Sequence, residues 1–204
     1  QIALSEAIIF AASLGVSGFV ILYAQANPLT AWLTLASSVG YAVVYTLWLK
    51  TASPQNIVIG GASGAAPPLL GWAAMTGQVG AEALSLFLII FIWTPPHFWA
   101  LAIEKREEYA LVGTPMLPVT HGDEFTRTQV LLYTVLLTLV TFLPYFIGMS
   151  NLVYLLSSIV LNVVFFAYAW KLKFNPKKGY GMRVFGYSII YLMLLFAALL
   201  LDHY

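Results

Sequence analysis

The sequence predicts an all-α membrane protein, a polytopic bundle of seven transmembrane helices. Three observations carry that prediction. Of 204 residues, 61% are hydrophobic and 8% are charged, against roughly 25% charged in soluble domains, and the mean hydropathy is +0.87. The apolar residues gather into seven runs, each close to the length of about 20 residues that a helix needs to cross a bilayer core. All nine Lys and Arg fall in the second, fourth and sixth connections between those runs, the alternation expected when basic loops stay on one side of a membrane.

The first run, Ala7–Ala24, follows Glu6 and stops before Asn27-Pro28. The second, Leu29–Leu49, begins behind that proline and ends at Lys50. The third, Ile57–Met75, opens after Gln55-Asn56 and closes at Gly77. The fourth, Ala83–Ile103, runs from Gly80 to the charges that start at Glu104. The fifth, Val130–Ile147, begins beyond Arg127, the sixth, Leu152–Trp170, lies between Asn151 and Lys171, and the seventh, Val184–Leu201, lies between Arg183 and Asp202. None alternates with the period of a barrel strand, and in lipid only a helix satisfies an isolated segment's backbone from within.

The positive-inside rule places Lys50, Lys105, Arg106, Arg127, Lys171, Lys173, Lys177, Lys178 and Arg183 on the cytoplasmic side, and Asp202 and His203 on the other. A net charge of +1 is too small and too dispersed to hold a nucleic-acid backbone, so nucleic acid is excluded as a partner. With no Cys there is no disulfide, thiol nucleophile or thiolate metal site, and any metal must be held by oxygen or imidazole. The chain starts at Gln1 without a basic n-region, which predicts a further N-terminal portion. No repeat or linker divides residues 1–204, so they read as a single transmembrane domain, N-terminally incomplete.

The densest polar cluster is Glu104-Lys105-Arg106-Glu107-Glu108-Tyr109 at the end of the fourth run. If that helix continues past Ile103, Glu104, Glu107 and Glu108 stand at i, i+3 and i+4 and share a face. Such a face is either a solvated helix end or a divalent-cation site. Mg²⁺ takes a few carboxylates plus substrate phosphate oxygens and water, and Lys105 and Arg106 would neutralise remaining phosphate charge. Upstream, Trp93-Thr94-Pro95-Pro96-His97-Phe98-Trp99 predicts a broken or kinked helix, and His97 is a functional candidate as an ionisable residue in a span. The third run carries Gly60-Gly61, Gly64 and Pro67-Pro68. Its small residues permit close helix approach, and a second proline kink there would frame one pocket with the first, with Lys50 and Asn56 at the depth of the glutamates.

These residues resemble a known family. Tyr45-Thr46-Leu47-Trp48-Leu49-Lys50, Gln55-Asn56-Ile57-Val58-Ile59-Gly60-Gly61, Gly64-Ala65-Ala66-Pro67-Pro68, Trp93-Thr94-Pro95-Pro96-His97-Phe98-Trp99, Glu108-Tyr109, Gly113-Thr114-Pro115-Met116-Leu117-Pro118-Val119 and Phe185-Gly186-Tyr187-Ser188 are similar, in this order, to the protoheme IX farnesyltransferase (haem O synthase) branch of the UbiA-type intramembrane prenyltransferases. The resemblance covers essentially the whole chain. It implies nine spans, of which this chain would hold the last seven, and a first Asn/Asp-rich Mg²⁺–diphosphate motif that lies outside it. It also implies transfer of a farnesyl group from farnesyl diphosphate to a vinyl group of haem B. Glu104, Glu107 and Glu108 would serve metal and diphosphate, Glu107 and Glu108 standing where the family usually carries Asp. Lys50, Lys105 and Arg106 would meet phosphate, and Asn56, His97 and Tyr109 the substrates, with His97 near haem iron or a propionate. The implied setting is the lipid bilayer of a bacterial inner membrane or a mitochondrial inner membrane, with contact to haem A synthase or a terminal oxidase assembly.

Three other readings compete. A retinal-type receptor would need a Lys in the seventh run, and it has none. A transporter should show repeated halves. A prenyltransferase for an aromatic quinone precursor shares fold and metal chemistry and differs in its acceptor.

Overall fold

The structure, a computed structural model, describes residues 3–49 and 52–203. In chain order these form α1 (Leu4–Gln25), α2 (Pro28–Val39) continuing as a π-helical segment (Gly40–Leu49), α3 (Asn56–Thr76), α4 (Ala81–Glu104), a short α5 (Arg106–Leu111), α6 (Leu117–Val140), a short α7 (Leu143–Phe146), α8 (Leu152–Phe174) and α9 (Tyr180–His203). Seven segments are long and apolar enough to cross a membrane, and they correspond one for one to the predicted runs.

The bundle is built around α4, which packs on α3, α6 and α9, while α8 packs on α6 and α9. The reason lies in its side chains: Ala83, Ile89, Trp99, Ala100 and Ala102 are all buried, and the alanines bring neighbouring backbones close. At the other extreme, α1 buries no residue and packs chiefly on α2. Its Leu4, Ile9, Phe10 and Val16 are exposed, a surface suited to hydrocarbon and not to water.

Within the membrane, α6, α8 and α9 are joined by a polar chain that leaves no member unsatisfied. The Tyr154 hydroxyl donates to the Thr141 carbonyl at 2.8 Å, Asn162 Nδ2 donates to Thr141 Oγ1 at 2.9 Å, and the Tyr191 hydroxyl donates to Asn162 Oδ1 at 2.7 Å. In a low-dielectric interior such a network ties helices together because each group has no water to fall back on.

Two expectations from the sequence are corrected. Pro95-Pro96 does not break its helix, and the helix that holds Pro67-Pro68 likewise continues past the pair as one element. Packing on three sides holds α4, and Thr94 Oγ1 donates to the Ile90 carbonyl at 2.8 Å, the kind of side-chain support that lets membrane helices tolerate proline. The fifth span begins not near Val130 but at Leu117. Pro118 stands in its first turn, where its missing N–H costs nothing, and Gly122, at φ 80° and ψ 167°, breaks the helix before it resumes. Asp123, Glu124 and Arg127 thus ride on a charged extension of that span.

Candidate functional site

An apolar cavity of about 390 Å³ lies where α2, α3 and α4 meet. The π-helical segment contributes Tyr41 and Tyr45, whose rings stack at 5.1 Å. Its wider winding shows in Thr46 Oγ1 donating five residues back, to the Tyr41 carbonyl, and π segments recur at functional sites. From α3 come Asn56 and the Gly60-Gly61-Gly64 series, and from α4 Ile90, Trp93, Thr94 and Phe98. Gly60 and Gly61 have a steric reason. A Cβ on Gly60 would stand 2.4 Å from Cε2 of Tyr45, and one on Gly61 would stand 3.1 Å from Cγ2 of Thr94. Adjacent spans do frame one pocket, as expected, but its walls are these glycines and aromatics and not the proline pairs.

Tyr109 and Met116 close the cavity at its charged end. The residues before Tyr109 do not form the shared face expected from the sequence. At Lys105 the backbone leaves the helix, with φ −103° and ψ 19°, and a separate turn begins at Arg106. This break rotates Glu104 away from the other two glutamates. The Glu104 carboxylate accepts the backbone N–H groups of Gly179 and Gly181, at 3.1 and 2.8 Å, so it caps the start of α9, where the helix dipole favours negative charge. Glu107 and Glu108 are exposed. Lys105 Nζ donates to Glu108 Oε1 at 2.5 Å, and that hydrogen bond, with the carboxylate's charge, holds the Lys105 ammonium above its ordinary pKa.

Among the described residues no three His, Asp or Glu converge as a metal cage. The expected three-glutamate site is therefore reduced to two exposed carboxylates, Glu107 and Glu108. That pair still fits Mg²⁺, which is usually held by one or two carboxylates together with substrate phosphates and water. Lys50 lies outside the described residues.

His97 does not line the cavity. It is 6% exposed and faces α9, with its ring stacked between Trp93, at 4.2 Å between centroids, and Phe185, at 4.4 Å. Ser188 Oγ donates its one proton to the Phe185 carbonyl at 2.6 Å, so in the 2.6 Å contact between His97 Nδ1 and Ser188 Oγ the histidine is the donor. Trp93 Nε1 donates to the Ser188 carbonyl at 2.9 Å. His97 and Trp93 together clamp α4 onto α9, and Trp93 also serves the cavity wall.

Sequence reasoning missed Tyr41, Tyr45 and Asp123. The tyrosines stand four residues apart, a spacing that places side chains together on a helix. Asp123 Oδ1 stands 3.5 Å from Arg106 Nη1, and Asp123 Oδ2 stands 3.9 Å from Arg127 Nη2, and the i, i+4 spacing of Asp123 and Arg127 was the readable signal.

A lipid-embedded helical bundle with an apolar cavity that ends against a charged turn defines a membrane protein suited to a substrate with a long apolar tail and a charged head. The chain belongs to the UbiA prenyltransferase family, whose pattern matches residues 1–200. Proteins named protoheme IX farnesyltransferase are among its relatives. The one from Colwellia psychrerythraea is 63% identical over 100% of this chain and 67% of its own length, and the one from Idiomarina loihiensis is 62% identical over 96% of this chain and 65% of its own length. A third, from Shewanella halifaxensis, is 59% identical over 100% of this chain and 68% of its own length. The chain thus spans about two thirds of each relative's length. The fold is also that of a solved structure described as digeranylgeranylglyceryl phosphate synthase in membranes, with a TM-score of 0.83 at 20% identity over 99% of this chain and 71% of that one.

Proposed function

We propose that this chain carries the transfer of a farnesyl group from farnesyl diphosphate to a vinyl group of haem B, giving haem O. The observation that carries the reading is the position of Tyr109, whose side chain closes the apolar cavity while Lys105, Arg106, Glu107 and Glu108, just before it, are exposed and charged. An isoprenoid diphosphate has the same two parts. The relatives' name supplies farnesyl as the donor group and protoheme IX as the acceptor.

Family members generally use Mg²⁺ with diphosphate substrates, and Glu107 and Glu108 would hold it here. The ion would offset the negative charge that builds on the departing diphosphate. Lys105 and Arg106 add positive charge at the same turn. As the allylic C–O bond breaks, its electron pair leaves with the diphosphate. The faces of Tyr41, Tyr45 and Trp93 suit the resulting allylic cation, and the apolar walls of Ile57, Ile90 and Phe98 keep water from quenching it. The vinyl π pair then forms the new C–C bond, and water captures the positive charge left on the haem side, losing a proton to become the hydroxyl. The setting is a bacterial inner membrane with the basic ends cytoplasmic, by the positive-inside rule.

The test is to supply the full-length protein that contains these residues, in proteoliposomes, with haem B, farnesyl diphosphate and Mg²⁺ and to weigh the extracted haem. The expected product has the mass of haem O. Farnesylation of a quinone precursor with haem B untouched would replace this reading. Glu108→Gln and Glu107→Gln should each raise the Mg²⁺ concentration needed for half-maximal rate, and an unchanged requirement in the double variant would remove both from metal binding.

A further inference from the structure

The charged end of the bundle divides its cations into two sets. Lys105, Arg106, Arg127 and Lys173 each pair with a carboxylate: Glu108, Asp123, Asp123 again, and Glu124. Of the described Lys and Arg, the other four are Lys171, Lys177, Lys178 and Arg183, and none of these makes an ion pair. All four line one groove of about 700 Å³ between α8 and α9, with no carboxylate among its lining residues. Concentrating uncompensated positive charge in one place costs repulsion, and an anion relieves it.

The lower part of the groove has a different chemistry. Val163, Val164 and Ala167 form its floor, and Val163 is 63% exposed, so the groove opens on the surface that meets lipid. From Lys171 down to Val163 is about 12 Å along the helix, a depth that reaches from headgroup level into the hydrocarbon. Tyr168 and Tyr180, 6.1 Å apart between ring centroids, stand between the two zones. Arg183 lies 5.9 Å from the Tyr180 centroid.

We propose that this groove binds an anionic phospholipid, its phosphate held by Lys171, Lys177, Lys178 and Arg183 and its upper acyl chains laid on Val163 and Val164. A basic pocket between transmembrane helices is the expected form of such a site. A free phosphate or diphosphate would satisfy the cations alike but would leave the apolar floor unused. The site stands apart from the α2–α3–α4 cavity and does not depend on which acceptor is prenylated.

The experiment is to purify the protein in detergent micelles doped with phosphatidylcholine and graded phosphatidylglycerol and to measure retained phosphatidylglycerol by native mass spectrometry. The unsubstituted protein should retain it in preference to phosphatidylcholine. The double variant Lys177→Gln/Lys178→Gln, on an exposed connection, should weaken retention by about thirtyfold, as two charges lost near a membrane surface imply. Lys173→Gln, which removes one charge at the same end but outside the groove, should leave it unchanged. Equal retention by the double variant, an equal loss in Lys173→Gln, or full displacement by inorganic diphosphate with no preference for the lipid would each overturn the proposal.

Discussion

The carboxylate of Glu104, the last residue of α4, accepts the backbone N–H of Gly181, in the first turn of α9, at 2.8 Å. The approach is possible because residue 181 has no side chain: a Cβ there would stand 2.5 Å from the Ala100 carbonyl oxygen and 2.8 Å from Cγ of Glu104. Two helices far apart in sequence are thus joined by one carboxylate that accepts from two glycine N–H groups, those of Gly179 and Gly181.

Glu104→Ala leaves two backbone donors without their partner and should cost about 1–3 kcal/mol of stability, while Glu104→Gln, which keeps an acceptor, should cost less. Gly181→Ala should cost about 1–3 kcal/mol by overpacking against backbone. Thermal unfolding of the solubilised protein measures all three. The Mg²⁺ requirement of Glu104→Gln should match that of the unsubstituted protein, and a rise as large as that of Glu108→Gln would return Glu104 to the metal.

His97 and Ser188 should behave as a coupled pair. His97→Ala and Ser188→Ala each break the α4–α9 clamp, and a double-mutant cycle should return an interaction of about 0.5–3 kcal/mol. Haem B affinity of the folded His97→Ala protein, read from the Soret band, should stay unchanged. A loss of haem affinity without a loss of stability would place the imidazole on the substrate.

Gly60→Ala should reduce turnover by about 10- to 100-fold, the scale of effect when a group lining a site is displaced by an ångström. The new methyl must push the Tyr45 ring, 2.4 Å away, into the cavity. Gly71→Ala, where no atom lies within 4 Å of the added Cβ, should leave turnover unchanged. Tyr45→Ala combined with Gly60→Ala should restore room for substrate and lower the KM below that of Gly60→Ala alone.

Asp123→Asn should cost about 1 kcal/mol or less, because Asp123 and Arg127 are partly exposed, with 31% and 23% of their side chains accessible, and such pairs contribute little. Unfolding measured at low and high salt should show the cost shrinking as salt screens the charges.

What could be read without coordinates follows from local rules. Seven spans were legible because lipid leaves a backbone one way to satisfy itself and because the basic residues mark alternate connections. Asn56, read as opening the third span at the depth of the glutamates, and Tyr109, named through the family resemblance, both stand on the cavity wall. Glu104, Glu107 and Glu108 were misread as one face because a single residue, Lys105, turns the chain out of the helix, and no propensity in that charged run announces it.

The sequence by itself determined the number of spans, their order and the ends at which charge collects, since hydropathy and positive charge act along the chain and need no partner. Only the tertiary structure decided which of those charged and aromatic side chains meet. It turned Glu104 toward Gly181 and His97 toward Ser188, and left Lys171, Lys177, Lys178 and Arg183 around one groove. The physical reason is that a buried donor or charge takes whichever partner packing brings within hydrogen-bond distance, and that partner lies 77 residues away in one case and 91 in the other.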